Sequence, residues 1–103
     1  MAFAIGTPLL DACVLAVLSQ GDTYGYVLTQ QVKGVLDISE SPLYPVLRRL
    51  QQEGALGVYD QPYQGRNRRY YTISALGRNR LEESRREWQS FRDGIDQLIM
   101  KED

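Results

Sequence analysis

Apolar positions along the chain follow two different periods, and the switch between them marks its organisation. Thr7-Pro8 pairs a cap-type hydroxyl with a proline suited to the first helical position, which predicts a helix start. Leu10, Cys13, Val14, Val17 and Leu18 then fall at i, i+3, i+4, i+7 and i+8, one helical stripe, and Gln20-Gly21-Asp22 predicts its end. Thr23 is the expected cap of a second helix with apolar members Tyr24, Val27, Leu28, Val32 and Val35. Gly34 near its end suits a left-handed terminal residue. Gly25 costs helix propensity and reads two ways, as close approach of a neighbouring helix or of a phosphate. Leu36-Asp37-Ile38 has room only for a stub of strand. Ser41-Pro42 repeats the cap-then-proline signal and opens a third helix, which Gly54 ends. Its buried stripe is Leu43, Val46, Leu47 and Leu50, and the complementary side carries Tyr44, Arg48, Arg49 and Gln52. Three short helices, the third with an arginine- and tyrosine-bearing outer face, match helix-turn-helix logic.

After Gly54 the period becomes two. Leu56 and Val58 alternate with Ala55, Gly57 and Tyr59, then Pro62 to Asn67 reads as a loop and Arg68 to Ser74 as a second strand. The pair predicts a β-hairpin, a wing that must pack on the helices because it is marginal alone. Ser74 is the expected cap of a last helix reaching about Met100. Leu81, Ser84, Trp88, Phe91, Ile95 and Leu98 step along it by threes and fours, a narrow heptad seam. The seam outruns what three short helices can cover. Leaving Trp88, Phe91, Ile95 and Leu98 in water forgoes roughly 1.5–3 kcal/mol each, so a two-fold homodimer is expected. The alternative is a monomer whose last helix folds back on its own core.

Composition narrows the chemistry. With 103 residues, 43% hydrophobic and 24% charged, the chain fits one folded domain. No apolar run of about 18 residues exists, so no membrane span is expected. Met1 to Gly6 lacks the basic region of a secretory leader, which points to a cytoplasmic protein. One cysteine and no histidine leave no internal disulfide, no Cys/His zinc set and no imidazole base. No glycine-rich phosphate loop is present. Neither a metal nor a cofactor is expected, and an enzyme is disfavoured. Cys13 reads as a small apolar residue of its stripe rather than a nucleophile. The net charge of −1 hides an uneven spread. Residues 1–40 carry −3, residues 41–80 carry +5 with every cation an arginine, and residues 81–103 carry −3. Such a basic centre is either a solvated face or an electrostatic footprint for nucleic acid.

The motifs Tyr24-Gly25-Tyr26, Ser41-Pro42-Leu43-Tyr44-Pro45-Val46-Leu47-Arg48-Arg49-Leu50, Glu53-Gly54, Gly65-Arg66 with Arg69-Tyr70-Tyr71, and Thr72-Ile73-Ser74 before Gly77 occur in this order. Together they resemble the PadR family of winged-helix transcriptional regulators, over about residues 9–90. The short last helix is similar to the small branch that includes multidrug-responsive repressors, and lacks the large C-terminal domain of the phenolic-acid-responsive members. The resemblance implies a dimeric repressor-type regulator whose last helix swaps contacts with the partner subunit. The expected fold is mainly α with a small β-hairpin, a winged helix-turn-helix plus a long C-terminal dimerisation helix. Residues 1–74 would be the DNA-binding domain and residues 75–103 the dimerisation helix, as one structural unit. Ser41-Pro42 departs from the longer small-residue lead of many members.

On this reading the third helix enters the major groove of double-stranded DNA. Tyr44, Arg48 and Arg49 reach bases or phosphates, and Ser41 binds phosphate beside backbone N–H groups. Tyr24 and Tyr26 are candidate backbone contacts, with Tyr24 equally a core residue. Arg66 and Arg68 on the wing reach the minor groove or its phosphates, while Tyr70 and Tyr71 read as packing. A dimer would bind an inverted-repeat operator. Leu10, Val14, Leu81, Trp88, Phe91, Ile95 and Leu98 are the expected dimer and ligand surface. Two readings of Trp88 stand: it stacks flat hydrophobic or cationic inducers, as the resemblance to multidrug-sensing members suggests, or it fills the dimer core. The other function class is a winged-helix protein-interaction module that offers its arginine face to an acidic partner without DNA specificity of its own.

Overall fold

Four helices and three strands follow in the order α1 (Thr7–Ser19), β1 (Thr23–Tyr24), α2 (Gly25–Leu36), α3 (Leu43–Gln52), β2 (Leu56–Tyr63), β3 (Arg66–Ile73) and α4 (Ala75–Ile99). This is a computed structural model and it describes residues 6–102. Met1–Ile5, on which the expectation about a leader rests, lie outside the described residues, as does Asp103. Four α1 side chains (Leu10, Val14, Leu15 and Leu18) meet Leu28 and Val32 of α2 and the full stripe of α3 in one core. Ala55, Leu56, Ile73 and Leu81 close it from the sheet and α4. The arrangement is a winged helix-turn-helix with a long C-terminal helix. Among the described residues no helix is long and apolar enough to cross a membrane.

The α3 stripe is buried as its spacing predicts, at all four of Leu43, Val46, Leu47 and Leu50. α1 differs by a rotation. Leu15 takes a core position, and Cys13 and Val17 are only half-buried. α1 is apolar nearly all round, so periodicity under-determines which face goes in. Val35 is 79% exposed rather than buried. Asp37, not Gly34, adopts the left-handed conformation that ends α2, and its N–H donates to the Lys33 carbonyl. No strand forms over residues 36–38. The helix starts also move. Gly6 precedes α1, and Ser41-Pro42 form a turn in which the Leu43 N–H donates to Glu40 O at 2.9 Å. Neither Thr7 nor Ser41 caps its helix.

Thr23 does not cap α2 either. Thr23 and Tyr24 form β1, which pairs with Tyr71 and Tyr70 of β3, so the expected hairpin is a three-stranded antiparallel sheet of order β1-β3-β2. β2 and β3 stay in register from Leu56 opposite Ile73 to Tyr63 opposite Arg66. The expected loop over 62–67 therefore shrinks to Gln64-Gly65, both with positive φ as a two-residue hairpin turn requires. Pro62 is tolerated because β2 is an edge strand.

Ser74 caps α4 as predicted. Its Oγ accepts from the Gly77 N–H at 3.1 Å and donates to Gly54 O at 2.6 Å. The Ser74 N–H donates to Ala55 O at 3.1 Å. α4 is thereby fastened to the turn after α3. Gly77 is buried there, and a Cβ on it would lie 2.3 Å from Ala55 O. The far half of α4 stands clear of the core and gives the molecule its 60 Å length against widths of 27 and 20 Å.

Candidate nucleic-acid interface

With its apolar stripe turned inward, α3 presents Tyr44, Arg48 and Gln52 along one exposed line, flanked by Pro45 and Gln51. Among the described residues no ion pair engages Arg48. Arg49 departs from expectation. One step further round the helix, its guanidinium pairs with Asp11 of α1 and sits 3.4 Å from Glu53. Glu53 in turn takes a 2.6 Å bond from Arg80 of α4. The chain Asp11–Arg49–Glu53–Arg80 holds α3 against both α1 and α4, so Arg49 is absent from the outward line. The Arg80 bond, ahead of the charges of Arg80 and Arg49, lowers the Glu53 carboxyl below its ordinary range. The bond to Asp11 raises the Arg49 guanidinium above its ordinary value.

At the other end of α3 lies Glu40, a residue sequence reasoning did not single out. Tyr44 Oη donates to its Oε2 at 3.1 Å, and Gln30 Nε2 donates to its Oε1 at 2.9 Å. The bond to Glu40 pushes the Tyr44 hydroxyl above the usual phenol range. The i, i+4 spacing of Glu40 and Tyr44 was the available signal. Ser41 is exposed in the turn beside them.

Tyr26 stands 60% exposed in the first turn of α2, whose end has no side-chain cap. Tyr24 precedes it on β1, half-buried. On the outer side of the sheet its ring lies 5.8 Å from that of Tyr63 and 5.7 Å from that of Tyr70, which stacks on Tyr59 at 5.5 Å. Tyr59 Oη donates to Asp22 at 2.8 Å, which raises its own titration. The Arg68 guanidinium lies over Tyr24 at 4.8 Å and Tyr63 at 5.4 Å. Arg68, expected at the wing surface, is half-buried between these rings and ties β1 to the wing. Arg66 and Arg69 are exposed near the hairpin tip. Tyr71 packs against the core, as read from sequence, while Tyr70 joins the outer aromatic row.

Two of the residues expected on the ligand and dimer surface lie elsewhere. Leu10 and Val14 are sealed in the core at 6% and 1% exposure. Their neighbours Leu9, Ala12 and Cys13, about 100° further round α1, face α4 instead. With Val35, Leu36, Leu81, Ser84 and Trp88 they line an apolar groove of about 340 Å³. A second hollow of about 610 Å³ extends it along Pro8, Leu9, Ala12, Trp88 and Phe91. Burial in the groove wall pushes the Cys13 thiol up. Along the seam Leu81 is buried and Ile95 half-exposed, while Trp88, Phe91 and Leu98 are 47%, 63% and 78% exposed.

The model of the transcriptional regulator PadR-like family matches residues 14–83. An uncharacterized protein of Lysinibacillus sphaericus is 32% identical over 92 residues, covering 84% of this chain and 84% of that protein. A solved Streptococcus mutans structure is 35% identical with a TM-score of 0.86 over 100% of both chains. That of a PadR-like transcriptional regulator from Bacillus cereus is 30% identical with a TM-score of 0.83, covering 91% of this chain and 94% of that one. A PadR family transcription regulator from Clostridium difficile is 25% identical with a TM-score of 0.80, covering 87% and 97%.

Proposed function

The chain belongs to the PadR-like family of transcriptional regulators, and on that premise we propose that it is a homodimeric repressor of inverted-repeat operators, released by flat hydrophobic or cationic compounds. Residues 1–74 serve as the DNA-binding unit and residues 75–103 as the dimerisation helix. The observation that carries the reading is the two-sidedness of α3. Its four apolar residues anchor the helix, and Tyr44, Arg48 and Gln52 form an exposed line shaped for a major groove. Tyr44 and Arg48 read base edges, Arg48 in the fork geometry that suits guanine. Ser41, Tyr26 and the uncapped first turn of α2 take phosphates. Arg66 reaches the flanking groove from the wing tip. Tyr24, Arg49 and Arg68 hold these elements in place.

The dimer is supported by the apolar side of α4 that the single chain leaves in water. Burying Trp88, Phe91 and Leu98 against a second copy recovers roughly 1.5–3 kcal/mol each. The α1–α4 groove beside Trp88 is the ligand site, and its apolar lining suits a flat compound. A ligand that favours one spacing of the two heads shifts the population between bound and released forms. The reading assigns no catalytic role to any residue.

Selection of duplexes from a random pool by the purified protein tests the proposal, with footprinting of the selected site and light scattering of the free protein. A symmetric, two-lobed footprint and a dimeric mass are expected. A single asymmetric half-site, or a monomer at micromolar concentration, overturns it. Titration of a panel of hydrophobic dyes against Trp88 fluorescence tests the ligand site, and an unchanged signal throughout returns Trp88 to plain packing.

A further inference from the structure

Glu40 is an acidic residue beside a face that approaches phosphates, where a carboxylate weakens association by like-charge repulsion. Both of its oxygens are nonetheless engaged. Gln30 Nε2 donates to Oε1 at 2.9 Å, Lys33 Nζ lies 3.6 Å from the same oxygen, and Tyr44 Oη donates to Oε2 at 3.1 Å. One side chain thus joins α2, the α2–α3 link and the outward face of α3.

The geometry points to Glu40 as a specificity-determining residue that fixes the hydrogen-bonding sense of Tyr44, so that the base facing Tyr44 is adenine or cytosine. A phenol has one O–H and two lone pairs. With its hydrogen committed to Glu40, the Tyr44 oxygen can only accept from DNA. In the major groove adenine N6 and cytosine N4 donate, whereas guanine N7 and O6 and thymine O4 only accept. The raised titration of the Tyr44 hydroxyl agrees, because the bond to Glu40 keeps the proton in place. Without Glu40 the hydroxyl turns freely and donates as readily as it accepts, and the preference at that position fades. This rests on the DNA-reading role of α3 proposed above.

The test uses the full chain and the site it selects from a random pool. Single-base variants of that site are competed for wild type, Tyr44→Phe, Glu40→Ala and Glu40→Gln. Wild type is expected to favour adenine or cytosine at one position of each half-site by roughly tenfold or more. Tyr44→Phe and Glu40→Ala flatten the preference at that position and at no other. Glu40→Gln removes the charge but keeps an acceptor. It is expected to tighten specific and random DNA alike while the preference survives. Should Glu40→Ala fail to fold, Tyr44→Phe locates the position, and the base found there decides. Guanine or thymine at that position overturns the inference. So does a Glu40→Ala variant that binds all DNA more tightly with every preference intact, or one that changes a different position from Tyr44→Phe. A wild type that selects no sequence overturns the regulator reading itself, whereas the preceding outcomes overturn this inference alone.

Discussion

Replacing Gly77 by alanine sets two effects of known sign against each other. Helix propensity alone favours alanine by about 0.8–1.0 kcal/mol. Yet Gly77 is buried in the first turn of α4, and an added Cβ would sit 2.3 Å from Ala55 O, 2.8 Å from Ile73 Cγ1 and 3.2 Å from Ala55 C. The nearest of these atoms is backbone and cannot swing aside. Displacing it disturbs the acceptor of the Ser74 N–H and the neighbouring bond from Ser74 Oγ to Gly54 O. Overpacking of this kind costs about 1–3 kcal/mol, and each weakened hydrogen bond about 0.5–1.5 kcal/mol. After subtracting the propensity gain, Gly77→Ala should destabilise by about 1–5 kcal/mol. That lowers Tm by roughly 4–8 °C per kcal/mol in a chain of this size. Gly34 in α2 is the control, because nothing lies within 4 Å of its added Cβ. Gly34→Ala should stabilise by about 0.5–1 kcal/mol. Thermal and urea melts followed by circular dichroism measure both, at one protein concentration because self-association shifts Tm. A Gly77→Ala protein as stable as wild type, or both variants shifting in the same direction, refutes the account of the α3–α4 junction.

Other outcomes follow from the same geometry. The bond from Arg80 lowers the Glu53 carboxyl in the folded chain, so the unfolded chain binds more protons as pH falls through the carboxylate range. The contribution of Glu53 is complete above its unfolded value near 4.5 and is lost as pH drops through the lower folded value, so the stability gap between wild type and Glu53→Gln should close in acid and stay constant near neutrality. Arg48→Ala should weaken specific binding by about 1–3 kcal/mol and relax the preference at one base pair; a loss uniform across sequences, with the salt slope lower by about one unit, would contradict its base-reading role. Phe91→Asp combined with Leu98→Asp should yield a folded monomer by light scattering, and an intact dimer would place the interface elsewhere. Burial holds the Cys13 thiol up, so Ellman's reagent should label it slowly in the native protein and fast in urea, and equal rates would contradict its place in the groove wall.

Legibility in the sequence tracks how local each interaction is. Leu43, Val46, Leu47 and Leu50 are the only apolar positions at helical spacing within α3, leaving one face to bury, and all four are buried. Ser74 and the heptad steps after it announced α4 because capping and periodicity act within a few residues. α1 misled because Leu9, Ala12, Cys13 and Leu15 offer apolar surface on several sides, and the choice falls to α4 and the core. Thr23 read as a cap because its partner, Tyr71 on β3, lies nearly fifty residues away. Pro62 and the polar residues after it read as loop because an edge strand accepts what a central strand refuses. Arg49 read as a DNA contact because its place on α3 is local, and only the tertiary approach of Asp11 and Arg80 shows Arg49 and Glu53 to be a brace.

α4 runs unbroken for 25 residues, about 37 Å at 1.5 Å per residue. Its root is gripped by Ser74, Gly77 and the Arg80–Glu53 pair, and its tip carries bare apolar residues. A tilt of roughly ten degrees at the root therefore sweeps the tip through about 6 Å, close to two base-pair steps of about 3.4 Å. In the dimer proposed above, two such subunits joined at their tips would work like calipers. One angle at the root would set the opening of the jaws, so a compound lodged beside Trp88 would throw the pair out of phase with the double helix without touching a DNA-facing side chain.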